Sequence, residues 1–260
     1  MENNTGLNHR ISILGGGWLG AALAQALKQQ GYQVQGATRS LATAEKLNGI
    51  PHFVVDIHAP GGKYGTFLAA DTLIIAIPSQ DVEAFARFIV HLEKSEVKQV
   101  LFISSTSVYP FTNGVVTEET PTLASPRAEI EQLFMTNPQF AATILRFGGL
   151  FGYDRQPGNF FKPGRTIDHP EGYVNMIHRD DCIGIIQEIL RQNCWGQVLN
   201  ACADTHPTRR AFYTWAAAQV GRTDLQFNEQ ADNRYKIVSS QKLKGLLGYA
   251  FKYGNLMEDG

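Results

Sequence analysis

The chain has 260 residues, enough for one large domain or a domain with a smaller lobe. Hydrophobic residues make up 43% and charged residues 18%, an ordinary globular balance that allows a sizeable core. The formal net charge of -1 gives no electrostatic case for nucleic acid or an anionic membrane, and no apolar run approaches the roughly 18 residues of a membrane span.

Residues Met1–His9 are polar and lack the apolar run of a signal peptide. Cys182, Cys194 and Cys202 are odd in number and have no metal-ligand spacing. Both features predict a cytoplasmic protein with reduced thiols and no metal.

The stretch Ile11–Gly20 reads as a short apolar strand running into Gly15, Gly17 and Gly20. A helix follows from Trp18 to about Gln30, with Leu19, Ala22, Leu23, Ala26 and Leu27 at helical spacing. This is G-x-G-x-x-G in the setting that gives it meaning, after a strand and opening a helix. The first glycine permits a tight turn, the second lets backbone approach a pyrophosphate, and the third lets helix pack on strand. The N–H groups of the first turn, at Trp18 and Leu19, then face the phosphates with the positive end of the helix dipole.

A second strand over Gln33–Ala37 ends in Thr38-Arg39-Ser40, where an NAD site would carry an acidic side chain for the ribose hydroxyls. No Asp or Glu occurs from Asn3 to Ala44. Arg39, with Ser40 beside it, suits a 2′-phosphate instead, which favours NADP over NAD. A short helix is predicted over Leu41–Asn48 and a third strand over His52–Ile57. Asp56 at its carboxyl end can contact an adenine amino group or cap a turn. Ala59–Gly65 is a loop. Asp71–Ile77 has the unbroken apolar run of a strand covered on both faces, and Pro78-Ser79 ends it at the edge where cofactors bind. A helix over Asp81–Lys94 and a strand over Val97–Ile103 complete an alternation that implies a parallel sheet with right-handed crossovers. That strand ends in Ser104-Ser105-Thr106-Ser107-Val108-Tyr109-Pro110. Such hydroxyls can meet a substrate oxygen or satisfy the loop's own backbone.

The glycine loop, Ser-Ser-Thr-Ser-Val-Tyr, and Ile144-Leu145-Arg146-Phe147-Gly148-Gly149-Leu150-Phe151-Gly152 together resemble the extended short-chain dehydrogenase/reductases, a group with NAD(P)-dependent sugar-nucleotide epimerases and dehydratases. Asn175-Met176-Ile177-His178-Arg179-Asp180-Asp181, Leu199-Asn200 and Lys242-Leu243…Leu247-Gly248-Tyr249 extend the likeness over roughly residues 10 to 253. The resemblance implies Ser105 as the catalytic Ser/Thr, Asp56 near adenine, and Ala76-Ile77-Pro78 beside the cofactor. It also counts Ser104 and Gly148 to the cofactor site.

One departure stands out. The family's catalytic pair is Tyr-x-x-x-Lys, in which the tyrosine exchanges a proton with substrate and the lysine holds the nicotinamide ribose. None of the nine tyrosines has a lysine four residues later. The helix that should carry the pair is Ser125–Met135; aligned on Arg127 and on Glu131-Gln132-Leu133, the tyrosine position falls at Leu123, just before it, and the lysine position at Arg127. Leucine cannot exchange a proton, while arginine can hold a ribose hydroxyl but stays charged. Tyr109, Tyr153 and His178 are the candidates for a substitute acid, each with a plain structural reading beside it.

Ala141–Phe147 is the sixth strand. Phe151–Tyr173 is a long loop whose Arg155, Lys162 and Arg165 would suit a phosphorylated or nucleotide-bearing substrate, or simply face solvent. Helices follow over Asp180–Leu190, with Asp180 as N-cap, from Pro207-Thr208 to Val220, and from Ser239 or Ser240 to Gly248. Val198–Ala201 closes the sheet and Tyr249–Gly260 is an extended tail. The expected architecture is α/β, a doubly wound parallel Rossmann sheet (residues 10–147 and 176–202) with a small C-terminal substrate lobe (148–175 and 203–260). The expected ligands are NADP, with NAD as the alternative, and a small-molecule substrate of the sugar-nucleotide kind. The chain would act as an oxidoreductase or epimerase-like enzyme, or as an inactive NADP-binding sensor, and outer helices could pair it as a homodimer.

Overall fold

A computed structural model describes residues 9–40, 45, 47–59 and 64–258. The predicted helix over Leu41–Asn48 and loop over Ala59–Gly65 fall largely outside the described residues, as does all but His9 of the amino-terminal segment.

The strands are β1 (Arg10–Leu14), β2 (Gln33–Thr38), β3 (His52–Val54), β4 (Thr72–Ile75), β5 (Gln99–Ser105), β6 (Val115–Val116), β7 (Ala141–Phe147), β8 (Gly149–Phe151), β9 (Thr166–Ile167), β10 (Met176–His178), β11 (Val198–Ala201), β12 (Gln226–Phe227) and β13 (Ile237–Val238). The helices are α1 (Trp18–Gln29), α2 (Val82–Leu92), α3 (Pro126–Met135), α4 (Arg179–Gln192), α5 (Arg209–Gln219) and α6 (Gln241–Leu247). Seven strands form one parallel sheet in the order β11-β7-β5-β4-β1-β2-β3. The chain moves outward from β1 through β2 to β3, then returns to the other side of β1 as β4. The order therefore reverses between β1 and β4, and the carboxyl ends at such a point are where ligands bind in open α/β sheets. Leu14 is in register with Ile75 and with Ala37 there.

The chain divides into two compact units, Met1–Ser104 with Ala124–Leu145 and Ile189–Val198, and Ser105–Leu123 with Arg146–Glu188 and Leu199–Gly260. In the first, β4 and β5 are apolar because helices cover them, and Phe85, Phe102 and Phe134 pack together at 5.1 to 5.9 Å between ring centres. Asp81 and Ser125 cap α2 and α3 by accepting from the N–H groups of Ala84 and Ala128. Removing either cap would cost about 1 kcal/mol. In the second unit, Ile167, Val174, Met176, Phe212, Tyr213 and Leu256 share a core.

Several boundaries differ from expectation. β3 stops at Val54 because the chain turns: the Val55 N–H still reaches Thr38, but Asp56 then takes the N–H of His58. Between Phe151 and Tyr173 the chain is not all loop, since β9 pairs with β12. α4 begins at Arg179, so Asp180 lies in its first turn and is not its N-cap. The carboxyl-terminal segment is not a free tail. The fully buried Asp181 accepts from the Tyr249 hydroxyl (2.9 Å) and from the N–H groups of Lys252 (2.7 Å) and Tyr253 (3.0 Å). No described helix is long and apolar enough to cross a membrane.

Candidate functional site

The glycine loop sits at the point of strand reversal. The Gly15 and Gly16 N–H groups donate to the Ala37 carbonyl at 3.0 and 2.9 Å, which closes the turn onto β2. Gly15 has φ +114°, and a Cβ there would lie 2.6 Å from the Ala76 carbonyl oxygen. A Cβ on Gly20 would collide with the Gly15 carbonyl oxygen, so this glycine sets how closely α1 approaches β1. Gly17 differs from both: a Cβ there would meet nothing within 4 Å.

Gly17 is also the N-cap of α1 and supplies no side-chain acceptor, and the first turn of α1 carries no acid. α2, α3 and α5 are all capped by a side chain. The first turn of α1, with Trp18 at its start and the buried Leu19 anchoring it, therefore has a positive dipole end with no side-chain cap and no acid, beside the open space at Gly17, which suits an anion.

Two adjoining cavities continue from this point within the first unit. One, of about 230 Å³, is lined by Gly15–Gly17, Thr38, Arg39, Ser40, Ala76, Ile77 and Pro78. The other, of about 320 Å³, is lined by Leu14, Arg39, Val55, Asp56, Ile57, His58, Ile77, Pro78 and Ser79. Arg39 is exposed and borders both. Thr38 holds the turn beyond β2 by donating to the Ser40 carbonyl at 2.8 Å. Together the cavities bring Gly15, Gly17, Arg39, Ser40, Asp56, Ala76, Ile77 and Pro78 to one crevice of phosphate donors, a cation and an apolar slot. A dinucleotide fits that donor set.

Ser104 has other work. It is 5% exposed, and its hydroxyl donates to the buried Glu131 carboxylate at 2.5 Å. It ties β5 to α3 and does not line the crevice, contrary to its expected cofactor role. Arg127 stands one turn before Glu131 on α3. Burial lowers its pKa from the usual guanidinium value, partly offset by the Glu131 charge. Leu123, at the family's tyrosine position, is 48% exposed.

In the second unit Ser105 caps a short 3-10 turn over Thr106–Val108, its oxygen accepting from the Ser107 N–H at 3.1 Å. Tyr109 is only 1% exposed. Its hydroxyl donates to Asn200 (2.9 Å) and accepts from Arg146 (2.6 Å), and burial raises its pKa. Its proton is engaged inside the protein, which removes Tyr109 as a substitute acid. Gly148 is a packing position, since a Cβ there would lie 2.7 Å from the Asn175 carbonyl and 2.8 Å from the Cys202 sulfur, and it lines neither of the two cavities above. His178 is buried, and burial lowers its pKa. Its ring lies 3.7 Å from that of Tyr253 and its Nδ1 accepts from the Asp180 N–H. Tyr153 is 55% exposed and donates to Asp180 at 2.8 Å. Among the described residues no group of His, Cys, Asp and Glu could hold a metal.

Sequence reasoning passed over Glu131, Asn200 and the pair His58–Asp81. The first two are partners of other side chains, which only the folded chain reveals. For the third the signal was faint: a histidine two residues after Asp56 and an acid at a helix start.

Residues 10–107 match the family model described as "NADP oxidoreductase coenzyme F420-dependent". The chain is 31% identical to protein YeeZ of Escherichia coli (strain K12) over 264 residues, covering 94% of this chain and 96% of that protein. Among solved structures it is similar to a short-chain dehydrogenase/reductase superfamily protein from Agrobacterium tumefaciens with bound NAD (18% identity, TM-score 0.74, covering 94% of this chain and 93% of that one). It is also similar to UDP-glucuronic acid 4-epimerase from Bacillus cereus in complex with UDP-glucuronic acid and NAD (18% identity, TM-score 0.77, covering 95% of each chain). The fold is the NAD(P)-binding, epimerase-like Rossmann fold that the motifs implied.

Proposed function

This chain belongs to the family of protein YeeZ, and from that premise we propose that it is an NADP-preferring oxidoreductase or epimerase-like enzyme acting on a hydroxyl or carbonyl group. The observation that carries the reading is the uncapped start of α1 opening, past Gly17, onto a crevice bordered by Arg39. A pyrophosphate would take the N–H groups at the start of that turn, which no side chain caps, and a 2′-phosphate would take the Arg39 guanidinium. The bound nicotinamide would supply a hydride acceptor or donor. Ser105 would orient the reacting oxygen: its lone pair takes the Ser107 N–H, which leaves its own proton to offer. Arg127 would hold the nicotinamide ribose. A sugar nucleotide is the favoured substrate, because a structural neighbour holds UDP-glucuronic acid with NAD and because Arg155, Lys162 and Arg165 suit phosphate. The small substrate lobe and a homodimer belong to the same proposal.

Turnover in a panel of sugar nucleotides, followed by cofactor absorbance and by epimer analysis, tests this. Activity that is lost in Ser105→Ala supports it, and unchanged rates would remove Ser105 from the mechanism.

A second reading is favoured by Leu123 and by the buried Tyr109 hydroxyl, which leave no tyrosine acid in the usual place. On it, the chain is a sensor whose affinity for another protein changes with NADP. Inactivity across the panel together with an NADP-dependent partner in pull-downs supports this reading; the same partners with and without NADP would oppose it.

A further inference from the structure

The larger cavity ends at a pair that the dinucleotide reading has not used. His58, on the turn after β3, lines it beside Asp56 and Ser79. Its Nδ1 lies 3.1 Å from an oxygen of Asp81, the N-cap of α2. The other Asp81 oxygen accepts from the Ala84 N–H at 2.9 Å, and its own N–H donates to Ser79 at 3.2 Å. Asp81 is thus fixed from two sides. The Ala84 N–H and then His58 hold its carboxyl below the usual range.

An ionised carboxylate only accepts, so Nδ1 of His58 must carry the hydrogen. In the neutral ring this leaves Nε2 as an acceptor. Asp56 on the same wall is a second acceptor, one of its oxygens already engaged by the His58 N–H at 3.0 Å. Of the remaining lining, Leu14, Val55, Ile57, Ile77 and Pro78 are apolar and suit a flat ring, while Arg39 and Ser79 are polar. A slot with apolar faces and, at its His58–Asp56 edge, acceptors matches a heterocycle that turns an amino group to that edge. It mismatches one bearing a carbonyl, whose oxygen would face lone pairs.

We propose that His58, held in one tautomer by Asp81, is a specificity-determining residue that selects the 6-amino purine of the dinucleotide over a 6-oxo purine. This rests on the dinucleotide reading of the crevice given above. Asp81 acts as a positioning residue through His58.

The experiment is calorimetric titration of the purified chain with NADP and with its deaminated hypoxanthine analogue. The wild type should bind NADP tighter by roughly three- to tenfold, the worth of about one hydrogen bond. His58→Phe, which keeps an aromatic ring, should weaken NADP and narrow the ratio while leaving the analogue's affinity unchanged. Asp81→Asn retains a capping oxygen but no longer fixes the tautomer, and it should narrow the ratio in the same way. Thermal unfolding of each variant verifies that it is folded. Equal binding of the two ligands by the wild type, or equal weakening of both in His58→Phe, would overturn the inference while leaving the dinucleotide reading intact. Binding of neither ligand by the wild type would overturn both.

Discussion

On the proposed function, Arg39 would decide between two coenzymes that differ by one phosphate. It borders both cavities of the crevice, and no acidic side chain lies near it in sequence. A guanidinium bonded to a phosphate contributes roughly 1.5–3 kcal/mol. Arg39→Ala should therefore weaken NADP about tenfold or more and leave NAD nearly unchanged, as measured by calorimetry. Ser104 makes the opposite case. Its hydroxyl serves the buried Glu131 carboxylate, so Ser104→Ala should cost about 1–3 kcal/mol in urea unfolding. NADP affinity should stay as it was; a loss of affinity at unchanged stability would return Ser104 to the cofactor site. The place of Arg39 beside the crevice could be read from the sequence because charge at a strand end needs no partner to be recognised. Ser104, Ser105 and Tyr109 could not be separated that way. Adjacent strand residues face opposite sides, and the partners Glu131 and Asn200 lie 27 and 91 positions away.

At the scale of the element, the glycine loop shows two uses of one residue type. Gly20 is small because protein is close, and Gly17 is small where nothing is close. Gly20→Ala should force α1 off β1 and cost about 1–3 kcal/mol or more, with dinucleotide binding lost alongside stability. Gly17→Ala should fold with unchanged stability, since its Cβ meets open space, yet lose dinucleotide binding because the methyl occupies the phosphate position. Thermal unfolding and calorimetry on the two variants separate these outcomes. Unimpaired binding in Gly17→Ala would place the phosphates elsewhere. The motif was legible because strand, glycines and helix each have their own signature. The end of β3 was not: His52–Ile57 is apolar enough to continue, and only the Asp56 turn to His58 stops it at Val54.

For the whole molecule, the parallel sheet was legible because buried parallel strands read as long apolar runs. The short strand pairings of the second unit were not, because β6 with β13 and β9 with β12 are two residues each and carry no period. The carboxyl-terminal segment was misread for a related reason. Its anchor, Asp181, lies 68 residues before Tyr249 and offers no local cue. Asp181→Ala would strip one hydroxyl and two N–H donors of their acceptor. It should cost about 3 kcal/mol or more and make the chain beyond Gly248 sensitive to protease. Wild-type stability and resistance would show that the strap is held by other contacts.

The account as a whole depends on what the open end of α1 binds. Calorimetric titration of the wild-type chain with NADP and, separately, with NAD addresses it directly. The account predicts saturable binding of one dinucleotide per chain, tighter for NADP. No binding of either, or tighter binding of NAD, would contradict it.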